Sequence, residues 1–122
     1  MMLRRGGIRF SDGENHVFRM TALRTETLWD RTRGLLGREA LAEEQGLLID
    51  PCNSVHTFGM RHAIDLVYIT RDGSVAKIIR SLGPRRLSFC WRAGAVLELL
   101  SGAADRLGVK QGMRMQWHDD DC

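Results

Sequence analysis

The sequence predicts a mainly β chain, a sandwich or barrel-like core with one or two short helices. Three observations lead there. Short apolar runs bounded by turn residues outnumber helical patterns. Thirteen glycines against two prolines supply turns rather than disorder. At 122 residues the chain is long enough for one hydrophobic core, so a single domain is expected.

The elements follow in order. Residues 1–15 are charged and Gly-rich, and a loose start is expected. From Val17 to Leu23 apolar residues nearly alternate, the period of a strand. Thr25 offers an N-cap, Glu26 suits the first turn, and Leu28, Thr32, Leu35 and Leu36 share a helical face, with stops at Gly34 and Gly37. Residues 38–45 are compatible with helix or loop. Gly46–Asp50 reads as a short strand stopped by Pro51. Ile64–Thr70, the turn Arg71-Asp72-Gly73-Ser74 and Val75–Ile79 form the clearest hairpin signal. Gly83-Pro84 breaks the chain, and Leu87–Arg92 is read as a loop that covers a site. Gly94–Leu100 is a strand with Glu98 embedded. Ser101 can cap a helix through Leu107, with Gly108 at C′. Met113–Trp117 is the last strand, and Asp119-Asp120-Asp121 a solvated end.

Chemistry concentrates in Val55-His56-Thr57-Phe58-Gly59-Met60-Arg61-His62-Ala63-Ile64-Asp65. As extended chain, His56, Phe58, Met60 and His62 would share one face and Val55, Thr57, Gly59 and Arg61 the other. Gly59 marks a bulge or a close approach. Asp65 interrupts an apolar run, and a carboxylate buried there needs a partner. Arg61 is the nearest in sequence. A small-ligand or partner site is expected at His56, Phe58, Met60, Arg61, Asp65 and Glu98, with Pro84 and residues 85–92 at its rim. Arg61 suits a carboxylate or phosphate. The structural alternative is an Arg61–Asp65–Glu98 ion-pair network that fixes strand register.

Two other chemistries compete. A hydrolase-like enzyme would use Asp65 and Glu98 as a carboxylate pair with His56 or His62 carrying protons, or Cys52 or Cys90 as nucleophile. A copper or zinc site would use Cys52, His56, Met60 and His62, although a strand spaces like-facing residues about 7 Å apart and Gly59 would have to bend it. No nucleophile elbow, phosphate loop or HExxH motif occurs, and the sequence specifies no cofactor.

Net charge is +3, with only the short clusters Arg4-Arg5 and Arg85-Arg86. Trp29, Trp91 and Trp117 are not interleaved with basic residues, so no nucleic-acid partner is expected. No apolar run approaches a membrane span and residues 1–9 lack a signal-peptide core, so no membrane partner and a cytoplasmic location are expected. Cys52, Cys90 and Cys122, odd in number and without CxxC spacing, suit reduced thiols.

A set of motifs recurs in order: Thr32-Arg33-Gly34-Leu35-Leu36-Gly37-Arg38, the His56–Asp65 stretch, Asp72-Gly73, Pro84, Val96-Leu97-Glu98-Leu99, Gly102 and Arg106–Gly112. On these the chain, over about residues 17–117, resembles the uncharacterised bacterial and archaeal family named domain of unknown function 192. The resemblance implies a mainly β, sandwich-like fold and carries no established activity. This chain has Gly59-Met60-Arg61 where many members have Trp-Met-Lys. It has Met113 where many have an Asp after the last-segment glycine.

Overall fold

The computed structural model describes residues 3–13, 17–25 and 45–119. They form β1 (Leu3–Ser11), β2 (Val17–Thr25), β3 (Gln45–Ile49), β4 (Ser54–His56), β5 (Ile64–Thr70), β6 (Val75–Leu82), β7 (Leu87–Phe89), β8 (Ala93–Leu100), α1 (Ala103–Leu107) and β9 (Arg114–Asp119). Seven strands make one curled sheet in the order β6-β5-β8-β3-β2-β1-β9, a half-barrel, and β4 and β7 pair as a small second sheet. The mainly β, barrel-like expectation holds. The helix expected after Thr25 and most of the segment 38–45 lie outside the described residues, and Thr25 itself ends β2.

The start of the chain corrects the reading of a loose end. Arg4-Arg5-Gly6-Gly7 hides an alternation in which Ile8 and Phe10 point inward and are fully buried. Gly6 has a steric reason. A Cβ on Gly6 would stand 2.4 Å from the His118 carbonyl oxygen and 2.5 Å from the Trp117 ring. Only glycine lets β9 lie this close to β1.

Alternation sorts the side chains onto two faces. The inner face gathers Ile8, Phe10, Met20, Leu48, Val67, Ile69, Leu97, Leu99 and Met113, with Ala103 and Ala104 of α1. The outer face carries Ile64, Leu66, Tyr68 and Val96, covered by Val55 and Cys90 from the small sheet and its flank. Tyr68 fastens the layers, its Oη lying 2.7 Å from Ser88 Oγ on β7.

The sheet curls until its far edges touch. Ser74 bridges Arg114, and Val75 N–H donates to the Met113 carbonyl at 2.8 Å while Met115 N–H donates to that of Gly73 at 2.7 Å. The β5–β6 hairpin stands where expected, but Arg71-Asp72-Gly73 form a three-residue connection. Only Gly73 takes a positive φ (91°), the arrangement of a turn followed by a glycine bulge. Asp72 accepts hydrogen bonds from the Thr70 hydroxyl and the Ser74 amide, which hold its carboxyl below the usual range.

Candidate functional site

Asp65 sits at one end of the half-barrel and is fully buried. Its Oδ1 accepts from Ser81 N–H at 2.8 Å, and its Oδ2 from Gly102 N–H at 3.1 Å and Ala104 N–H at 2.9 Å. Three backbone donors thus satisfy the carboxylate, not Arg61, which is exposed and forms no ion pair among the described residues. The expected Arg61–Asp65–Glu98 network is corrected on this point. Asp65 also replaces Ser101 as the cap of α1. Gly102 occupies the N-cap position without a side chain to offer, and Ser101 Oγ instead pairs with Ser81 Oγ at 2.6 Å. Gly108 closes the helix at φ 80°, as the sequence predicts.

Glu98 is buried on the other face. In the register, Asp65 stands opposite Leu99 and Leu66 opposite Glu98. Leu99 belongs to the inner core and Leu66 to the outer. Asp65 and Glu98 therefore point to opposite sides of the sheet, and the carboxylate pair needed by the hydrolase-like reading is not assembled.

The His56 stretch is extended only through His56. Val55 and Thr57 point inward and His56 and Phe58 outward, as alternation predicts. The chain then turns at Gly59 (φ 87°), and Met60 packs against the outer core while Arg61 and His62 face solvent. Thr57, which the sequence reading passed over, pins this turn to the 83–86 loop. Its hydroxyl donates to the Gly83 carbonyl at 2.6 Å and accepts from Arg86 N–H at 2.8 Å. Residues 87–89 are a strand rather than a covering loop, with His56 paired to Leu87 and Ser54 to Phe89. The Cys52 thiol donates to the Ser54 carbonyl at 3.0 Å. Among the described residues no three His, Cys, Asp or Glu side chains converge as a metal set would require, so the copper or zinc alternative finds no support in the geometry.

A well-formed cavity lies elsewhere. At the end of the half-barrel opposite α1, a pocket of about 560 Å³ opens between the ends of β2, β3, β5, β8 and β9. Among the described residues Arg24, Asp50, Asn53, Arg71, Met115 and Trp117 line it. Arg24 Nη2 meets Asp50 Oδ2 at 2.6 Å, and the Arg24 guanidinium carbon lies 5.5 Å from the Trp117 ring centroid. Gly94 brings Arg71 close to the rim, because a Cβ there would meet Arg71 Cγ at 2.9 Å. None of the six residues expected to bind ligand lines this pocket. Its parts come from the ends of five strands and the loops beside them, and no local motif links them. Another, smaller groove of about 310 Å³ runs over the small sheet between His56, Leu87 and Phe89.

The DUF192 model, an uncharacterised family, matches residues 8–117. The chain belongs to this family. Among solved structures, the chain is similar to a protein from Sinorhizobium meliloti 1021 described as a putative transcription regulator, over 96% of each chain (TM-score 0.85, 22% identity). A protein of unknown function from Novosphingobium aromaticivorans DSM 12444 is similar over 91% of this chain and 84% of its own (TM-score 0.79, 22% identity). At this identity the likeness shows the fold alone. No curated protein matches the chain significantly. No helix among the described residues is long and apolar enough to cross a membrane.

Proposed function

We propose that this DUF192 domain is a non-catalytic binding module that takes a small anionic molecule in the open mouth of its half-barrel. One observation carries the reading, the mouth pocket of about 560 Å³ with Arg24 and Arg71 on its wall. Barrel mouths are recurrent ligand sites, and specific pockets combine apolar walls with a few fixed polar groups. Here Trp117 and Met115 supply apolar wall. Arg24 is held in place by Asp50 and by the Trp117 ring face, so little freedom is lost when its remaining donors engage a ligand. Arg71 adds a second cation that Asp50 does not hold. A carboxylate or phosphate attached to a compact body fits this set.

The opposite end supports a static role for the frame. Asp65 and α1 close it with backbone hydrogen bonds, leaving the mouth as the accessible end. Relative to the sequence reading, the small-ligand site moves from the His56–Asp65 stretch to residues around 24, 50, 71 and 117.

A thermal-shift screen against small carboxylates, phosphates and nucleotides tests this, run on wild type and on Arg71→Ala. Arg71 is exposed, so its replacement should leave the unliganded melt unchanged. The expected result is a compound that raises the wild-type melting temperature and has a much smaller effect on the variant, since native-state binding stabilises by mass action. Equal shifts in both proteins, or none with any compound, would contradict the proposal.

A further inference from the structure

The small sheet presents large apolar side chains to solvent. Leu87 is 75% exposed, Trp91 77%, Phe89 57% and Phe58 49%. Strand pairing makes them neighbours. Leu87 and Phe89 share one face of β7, with Ser88 turned inward to Tyr68. His56 lies beside Leu87, Phe58 stacks obliquely 5.9 Å from the His56 ring, and Trp91 follows just beyond Phe89. Single exposed apolar residues are ordinary, but a contiguous group marks an interaction surface.

Charge singles out the same face. No Asp or Glu occurs between Asp50 and Asp65, nor between Asp72 and Glu98. Those two stretches hold Arg61, Lys77, Arg80, Arg85, Arg86 and Arg92, more positive charge than the +3 of the entire chain. Arg80 is paired with Asp105. Arg61, Arg85, Arg86 and Arg92 are exposed, and the last three flank Leu87 and Trp91 along the chain. The surface is also preset. Thr57 clamps the two loops together, and Arg85 is held at a φ of 61°, its N–H donating to the Thr57 carbonyl at 3.3 Å.

We infer that this face docks the protein on an anionic lipid bilayer. Leu87, on the wall of the open groove over the small sheet, and Trp91 beyond it both reach far into solvent, a shape suited to a deformable apolar phase. The leucine contributes nothing to base stacking. Arginines level with such side chains meet the phosphate layer, and attachment then scales with buried apolar area plus attraction to anionic headgroups. Peripheral docking needs no spanning segment. The inference is independent of the mouth pocket, which shares none of these residues.

Vesicle co-sedimentation of the full chain tests it. The probes are vesicles of phosphatidylcholine alone and of equal parts phosphatidylcholine and phosphatidylglycerol. Binding should occur to the mixed vesicles, weaken with salt, and be nearly absent on neutral ones. The pairs Leu87→Ser/Trp91→Ser and Arg85→Glu/Arg86→Glu should each weaken it by about tenfold or more. All four positions are exposed, and unchanged melting curves would show that the fold survives. Tryptophan emission should shift blue on binding, and Trp91→Phe should remove most of that shift. Arg71→Ala should bind vesicles like wild type. Absence of binding to mixed vesicles, or binding indifferent to both double variants, would overturn the inference. So would tighter binding of the same face to a single-stranded oligonucleotide or to an acidic apolar peptide.

Discussion

Asp65 ties three elements together through one side chain. Its carboxylate joins β5 to the end of β6 at Ser81 and to the start of α1 at Gly102 and Ala104. Removing it would orphan three backbone donors around a buried site. Asp65→Ala should therefore cost about 3–5 kcal/mol in urea unfolding. Asp65→Asn, which keeps one carbonyl acceptor, should cost less. Exposed Arg61→Ala should leave stability almost unchanged, because Arg61 is not the partner of Asp65. Tyr68 gives the second residue-scale prediction. It is fully buried, and burial pushes its phenol above the ordinary tyrosine value. Nearby Cys52, Cys90 and Glu98 add to the rise, and the Ser88 hydrogen bond partly offsets it. A raised folded value means that the folded state holds this proton more tightly. The stabilisation is complete below about pH 10 and is lost as pH climbs through the folded value. Tyr68 is the chain's single tyrosine, so ultraviolet difference titration reads it directly. Tyr68→Phe should cost about 1 kcal/mol at neutral pH and lessen the alkaline loss of stability. Phenolate formation at or below the value of free tyrosine would contradict this.

At the scale of elements, the closest fit is β1 against β9. Gly6→Ala places a methyl group on the His118 carbonyl and the Trp117 ring, and backbone cannot yield as a side-chain end can. The expected cost is about 1–3 kcal/mol, and amide hydrogen exchange should show β9 opening ahead of β5 and β8. Gly7→Ala, whose added carbon would meet only the Met20 carbonyl at 3.6 Å, is the mild control. These strands also show what a sequence discloses. β3, β5, β8 and β9 were legible because each buries a near-continuous or alternating apolar run bounded by turn residues. Gly108 was legible as a helix stop for the same local reason. β1 was not, because Gly6 answers to a strand more than a hundred residues away, and its purpose is steric rather than compositional. The cap of α1 was not legible either. It comes from Asp65, and a local rule assigns it to Ser101. At 56–65 alternation was right up to Phe58 and failed at Gly59, where a positive φ ends the strand.

For the whole molecule, the half-barrel separates three surfaces. Asp65 and α1 close one end, the small sheet covers the outer face, and the mouth pocket opens at the far end. The pocket's Arg24, Asp50, Arg71 and Trp117 meet only after β2, β3, β5 and β9 have curled together, which no spacing rule encodes. The cationic, apolar face did leave a trace, the two acid-free stretches on either side of Asp65 and Asp72. The most direct test of the mouth site is a backbone-amide NMR titration with the strongest compound from the thermal-shift screen. The account predicts saturable shifts at Asn53, Thr70, Arg71 and Gly94, with Asp65, Gly102 and residues 87–91 unmoved. Shifts confined to His56–His62 and the small sheet, with the mouth unmoved, would contradict it.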